Sequence, residues 1–401
     1  MVHENDMGSS GEVALVGHFD TSAIAGLLPV ELAARIISIK TEMGVPMETL
    51  AAEFIHRGIS TTLIGGAQES ENIFLRSTPL SVALYPKRGG WSFVRSGLQK
   101  ERKAILELLR EIQPYITHAH WTMEGGRAVA DWNGPKVLTI HDAAWECARL
   151  GLIPRPLSMA YTARWLADTA TILRRFDHII AVSPYVETYL RLRHRYRGEI
   201  RVIPNAILDL PRDLIVPSIF PKTGAVTFGV CGSLHQIKNV YTAVEAFRKL
   251  GLSVPGSRLL IFGECDVSVQ DQGKSERIEL RGRVPHRELL RSLVEEVDIW
   301  LHPSRIESHG IVICEAIQAG CPVIAGKNSG AVSWTLEYGR AGILVDIESI
   351  DEVSAAMRRT VLERDAYNDM VDYGREHIRT MFSVERTTGM HLKYYRDIAG
   401  R

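Results

Sequence analysis

Two glutamates, Glu307 and Glu315, carry the clearest chemical signal in this sequence. Glu315 falls within a nearly all-apolar run that ends at Ala319, where Gly320 and Pro322 stop a helix, and Ser308 stands ahead of the run as a candidate N-cap. Such a helix belongs in a sheet-and-helix core, where an unpaired carboxylate costs several kcal/mol or takes up a proton. Two explanations are open. Glu315 can pair with a neighbouring cation or with backbone donors. Alternatively it waits for a ligand's hydroxyl pair, such as a ribose diol, while the amides from Ser308 to Ile311 face an anion at the helix start.

Other candidate side chains stand where strands are expected to end. His118 and His120 close one apolar run, His141 and Asp142 another, and Lys238 follows Gly232 in a loop after a third. Open α/β sheets gather functional groups at these ends, although a single histidine there is more often structural. No Asp-x-Asp pair occurs, so a divalent cation has no evident ligands, and the predicted metal set is empty. The five cysteines, at 147, 231, 265, 314 and 321, form no CxxC pair, which points to a reduced, cytoplasmic setting.

The elements that position these residues alternate between strand and helix. Residues 1–12 are polar and are expected to form a disordered leader. Val13 to Val16 is the first strand, Gly44 to Gly58 brackets a helix, and Ile59 to Ile64 is the next strand. This βαβ pattern implies a parallel sheet covered on both faces. Strands at Tyr115–Trp121, Lys136–Ile140, His178–Val182 and Arg201–Ile207 continue it, with a long helix over Ser158–Arg175. Pro211, Pro217 and Pro221 then mark a linker. The second series has strands at Val226–Cys231, Arg258–Phe262, Ile278–Gly282, Ile299–Leu301 and Gly342–Val345, with helices at Val240–Leu250, Arg287–Val294 and Ile350–Leu362. The expected division is a first domain over 13–207, a linker over 208–224, a second domain over 225–382, and a closing segment over 383–401.

At 401 residues the chain exceeds one ordinary core, consistent with two domains. Its 47 basic and 47 acidic residues argue against a general nucleic-acid binder. No apolar run approaches the ~18 residues of a membrane span. Lys87 to Arg110 carries seven Lys/Arg against two Asp/Glu, interleaved with apolar residues. That stretch is either a helix with a solvated face or an edge that meets anionic lipid headgroups or a charged acceptor.

The order and spacing of these features resemble the large family of retaining glycosyltransferases with the GT-B fold, which build bacterial polysaccharides and glycolipids from nucleotide-sugars. The resemblance rests first on the Glu-x7-Glu motif, Glu307 to Glu315, set within Pro303 to Ala316 and followed by Ala319 to Val323. Gly232 with Lys238 resembles the family's donor-phosphate loop, and Gly263 and Gly282 its later strand-ending glycines. Asn205–Ile207 resembles the turn closing its first domain, Met43 to Gly58 its glycine-loop helix, and His141–Asp142 its cleft histidine. Ser233 stands where the family has an arginine, and His309 where it has another aromatic residue.

The resemblance implies two Rossmann-like α/β domains facing a deep cleft, with a C-terminal helix, about Arg386 to Asp397, crossing back to the first. It implies transfer of a sugar from a nucleotide diphosphate-sugar, with no cofactor and no required metal, to a saccharide, glycolipid or small-molecule acceptor. His141, Lys238 and Glu307 are its catalytic candidates. Gly232, Ser233, Lys238, Gly263, Ser308, His309, Gly310, Ile311 and Glu315 are the donor-binding ones. Glu315 would meet the ribose hydroxyls, Glu307 the donor sugar, and Lys238 with the helix amides the diphosphate. A peripheral contact with the inner membrane face is open. The alternatives are a nucleotide-sugar epimerase of the same fold and a degenerate nucleotide-sugar-binding partner subunit.

Overall fold

The computed structural model describes residues 11–41, 44–69, 71–87, 91–151, 156–214, 221–223, 225–232, 236–264 and 277–400. Most of the expected leader and Ser233 lie outside the described residues. The chain forms two compact units: residues 1–148, 152–206 and 384–401 make the first, and 149–151 with 207–383 the second.

The first unit is built on a sheet of eight described strands: β1 (Val13–Val16), β2 (Thr61–Ala67), β3 (Ile73–Leu75), β4 (Leu80–Pro86), β5 (Ile116–His120), β6 (Lys136–Ile140), β7 (His178–Ala181) and β8 (Glu199–Val202). Their order is β3-β4-β2-β1-β5-β6-β7-β8. All neighbours run parallel except β3 and β4. The antiparallel β3 departs from the purely parallel sheet expected from sequence. It is short, half-buried and at the edge, where one face can meet solvent. Strand β1 is a fully buried apolar run, and β2 and β6 are buried over all but one residue each, as a sheet covered on both faces requires.

The helix Val45–His56 packs Met47, Leu50, Ala51 and Phe54 onto this sheet, with Pro46 in its first turn. The basic stretch around 87–110 is two helices, Trp91–Ser96 and Gln99–Ile112, broken where Leu98 takes a left-handed φ of 55°. Several of its cations are paired: Lys87 with Glu124, Arg102 with Asp131 and Lys103 with Glu107. The C-terminal helix Val384–Ala399 returns to this first unit. Leu392, Tyr394 and Tyr395 join its core, where the Tyr395 ring meets Phe54 edge-on at 6.0 Å.

The second unit has a sheet of six described strands, all parallel: β9 (Thr227–Cys231), β10 (Arg258–Phe262), β11 (Ile278–Gly282), β12 (Ile299–His302), β13 (Val323–Gly326) and β14 (Ile343–Val345). Their order is β11-β10-β9-β12-β13-β14, so the chain reverses its direction of travel across the sheet between β9 and β12. Helices Val240–Leu250 and Ile350–Leu362 pack one face of the sheet. Helices His286–Glu295 and Ile311–Gln318 pack the other, and Arg364–Met381 contributes Tyr367 to the first core and Ile378 to the second. Among the described residues no helix is long and apolar enough to cross a membrane.

The stretch expected as a free linker, 208–224, is packed into this unit where it is described. The Lys222 ammonium donates to the carbonyls of Leu293 (2.8 Å), Val297 (2.6 Å) and Ala319 (3.3 Å), and its amide donates to Asp298 Oδ1 at 2.8 Å. Prolines break periodicity without freeing the chain, because these polar contacts anchor it. Pro217 lies outside the described residues.

Candidate functional site

In an open parallel sheet the loops on either side of a strand-order reversal diverge and leave a crevice at the carboxyl ends of the strands. In the second unit that point lies between β9 and β12, and the loops that leave those strands carry Gly232 with Lys238 and His302 to Gly310. Three of these side chains converge. Lys238 Nζ donates to Glu307 Oε1 at 2.6 Å, and His302 Nε2 donates to the same oxygen at 3.0 Å. Burial raises the Glu307 pKa, but the Lys238 ammonium and the His302 bond outweigh it and hold the carboxyl well below the usual range. Glu307 is therefore an anion at neutral pH, and its backbone carbonyl accepts from Ala331 N at 2.8 Å.

Gly232 permits this arrangement. A Cβ there would lie 2.7 Å from Lys238 Cβ, so any larger residue displaces the lysine. Gly263 closes the floor: its φ is 103°, and a Cβ would meet the Gly232 carbonyl oxygen at 2.8 Å. The loop between Gly232 and Lys238 includes Ser233, which lies outside the described residues.

The motif helix spans Ile311–Gln318 and ends after Ala319, where Gly320 takes a φ of 86°. Its start corrects the sequence expectation. The N-cap is Gly310, at φ 90°, with no side-chain cap bond, and not Ser308. The reversed backbone at Gly310 turns the chain into the helix two residues later than a serine cap would. The preceding carbonyl, of His309, accepts instead from Thr335 Oγ1 at 2.5 Å. The amides of Ile311 and Val312 are thus first-turn donors with no intrahelical acceptor.

Glu315 lies on this helix, 8% exposed, between Cys314 and Ala316, both wholly buried. Its Oε1 is 2.7 Å from Nε2 of His286, the first residue of the helix His286–Glu295. The partner left open on sequence is therefore present as an imidazole, which donates to the carboxylate. His309 is buried beneath the site, edge-on to Phe382 at 4.8 Å and tilted against Trp334 at 5.7 Å. Neither of its ring nitrogens has a hydrogen-bond partner, and burial, against the pull of Glu307, lowers its pKa to about 4. It packs as an aromatic ring against Trp334 and Phe382. His302 and His286 carried no role in the sequence reading. Their partners, Glu307 and Glu315, lie 5 and 29 residues away in the chain. The signal for His302 was its place at the end of β12. For His286 there was none beyond the helix start.

In the first unit, the loops after β1 and β5 diverge in the same way, and the His18 and Trp121 rings meet there at 5.1 Å. His141 Nε2 is 3.0 Å from His120 Nδ1, and its ring lies 4.4 Å from that of Trp121. Trp121 holds a left-handed φ of 63°, a strained position for a bulky residue. His141 and Asp142 line a pocket of ≈ 390 Å³, open space included, together with Trp121, Trp165, Thr169 and Tyr189. His118, by contrast, is structural: it bonds Tyr395 Oη at 2.5 Å and Thr139 Oγ1 at 2.6 Å. Among the described residues no group of three or more His, Cys, Asp or Glu side chains is placed to hold a metal ion.

The family description "Glycosyl transferases group 1" matches residues 212–377, and "Glycosyltransferase Family 4" matches residues 43–208. The chain belongs to the group 1 glycosyltransferases. A glycogen synthase of Mycobacterium tuberculosis is 29% identical over 282 residues, 67% of this chain and 64% of that protein. The chain therefore spans less than two thirds of this relative's length. The solved structure of sucrose-phosphate synthase from Thermosynechococcus elongatus has a TM-score of 0.77 at 18% identity, covering 97% of this chain and 99% of that one. Anabaena Alr3699/HepE, solved in complex with UDP-glucose, has a TM-score of 0.66 at 15% identity, covering 97% and 100%. At these identities the likeness is one of fold, and the fold is GT-B.

Proposed function

We propose that the protein is a retaining glycosyltransferase that moves a sugar from a nucleotide diphosphate-sugar to a saccharide, glycolipid or small-molecule acceptor. The observation that carries this reading is the Lys238–Glu307–His302 cluster beside the amide-rich start of the Glu315 helix, at the reversal point of the second sheet. As the glycosidic bond breaks, charge grows on the leaving diphosphate. The Lys238 ammonium brings a positive charge to counter it, and the Ile311 and Val312 amides add hydrogen-bond donors at the helix start. Glu315 receives the ribose hydroxyls, and Glu307 meets hydroxyls of the donor sugar.

On this reading the acceptor's proton passes to the departing phosphate on the same face, so the step needs no separate general base. The resemblance alone gives His141 a part in positioning the donor sugar. The absence of Asp-x-Asp supports transfer without a metal clamp, and cysteines without a CxxC pair support a reduced, cytoplasmic setting. The exposed Trp91 and the basic side chains near it support a peripheral contact with the inner membrane face.

The test is incubation with α-linked UDP-, GDP- and ADP-sugars and an acceptor panel, followed by NMR of the product's anomeric proton, with and without EDTA. An α-configured product, formed equally in EDTA, supports the proposal. A β-configured product contradicts retention, and loss of turnover in EDTA contradicts metal independence.

A further inference from the structure

We propose that His286 is a positioning residue that orients the Glu315 carboxylate for the nucleoside's ribose hydroxyls, an inference that rests on the donor-site reading above. Glu315 is surrounded on its helix by apolar side chains, and among the described residues its carboxylate makes one hydrogen bond, to His286 Nε2 at 2.7 Å. The terminal torsion of a glutamate is broad, so a carboxylate held by nothing would sample many planes. A single bond to a fixed donor removes that freedom.

His286 is such a donor. It opens the helix His286–Glu295 directly after Pro285, whose carbonyl accepts from Glu288 N at 2.9 Å and Leu289 N at 3.1 Å. Leu290 and Leu293 anchor the same helix in the core that also holds Ile313 and Ile317 of the Glu315 helix. The imidazole itself is 45% exposed while Glu315 is 10% exposed, so the contact sits at the mouth of the buried carboxylate.

A pair of this kind gives little net stability over apolar side chains in the same place. Its value lies in what the oriented carboxylate can still accept. An ionised carboxylate offers about four lone-pair sites. With one taken by His286, the 2′- and 3′-hydroxyls of a ribose can take others, and their positions are set by the plane that His286 imposes.

The experiment is calorimetric titration of UDP, GDP and ADP, each beside its 2′-deoxy counterpart, into the parent, Glu315→Ala, His286→Ala and His286→Gln, with thermal melts to confirm folding. Half-exposed His286 is at a helix end, and its variants are expected to fold. The parent should prefer the ribonucleotide. His286→Ala should weaken the best-bound ribonucleotide by about tenfold and its deoxy form by under about twofold, and His286→Gln, which retains an N–H donor, should recover most of the loss. Equal losses for both nucleotides, or no loss in His286→Ala, overturn the positioning role while leaving the donor site standing. If the parent binds no nucleotide, or Glu315→Ala binds as the parent does, the donor-site reading falls and this inference falls with it.

Discussion

One oxygen atom, Oε1 of Glu307, takes hydrogen bonds from both Lys238 and His302, and this sharing sets the charge of the site. The pair was not visible in the chain, where Lys238 and Glu307 are 69 residues apart and served separate expectations. What sequence did carry was residue type at strand ends, which named Lys238 and His141, and the Glu-x7-Glu spacing, which named Glu307 and Glu315. It could not show that the His309 ring is buried against Phe382 and Trp334. Because the folded pKa of Glu307 is depressed, its stabilising contribution is complete above the ordinary carboxylate pKa of about 4.3 and is lost as the pH falls below it. Glu307→Gln should therefore destabilise by roughly 1–3 kcal/mol at pH 7. The difference from the parent should shrink in thermal melts taken below pH 4.3.

At the scale of elements, the motif helix is held at both ends by features outside its own sequence. Gly310 begins it at φ 90°, and a Cβ there would press on Ile313 Cδ1 at 2.9 Å. Gly310→Ala should cost about 1–3 kcal/mol in denaturant melts and weaken nucleotide binding, because it moves the first-turn amides. At the other end Lys222 donates to the Ala319 carbonyl, where a cation also suits the helix dipole. Lys222→Met should lower stability by about 1–3 kcal/mol, since it leaves the Leu293 and Val297 carbonyls without that donor. The alternating strands and helices were legible because buried parallel strands are short apolar runs ended by glycine or histidine. β3 and β4 escaped notice, as did the helix Arg364–Met381, whose polar exposed face gives no apolar run and which follows its predecessor after a single bend at Glu363. The anchoring of Lys222 was hidden for a different reason: its acceptors are carbonyls of distant residues.

Across the whole molecule, the C-terminal helix ties the end of the chain to the first unit through buried imidazoles. His391 packs on His118 at 5.6 Å, and Tyr395 bonds His118. Burial lowers the pKa of His391 to about 4 and those of His118 and His120 well below the ordinary value. The unfolded chain protonates these groups first, so stability present above pH ~6.5 is lost as the pH falls toward 4. Melting temperature should drop between pH 7.5 and 5, and His391→Phe should flatten that fall. The two-unit architecture was legible from length and from the repeated strand-helix series, whereas this cluster, drawn from two distant segments, was not. The central claim, that the second unit binds a nucleotide diphosphate-sugar through Lys238 and Glu315, is tested most directly by calorimetric titration of UDP-, GDP- and ADP-sugars into the parent and into folded Lys238→Ala and Glu315→Ala. Binding by the parent with a loss of about tenfold or more in each variant is the predicted result. Variants that bind and turn over donor as the parent does would contradict it.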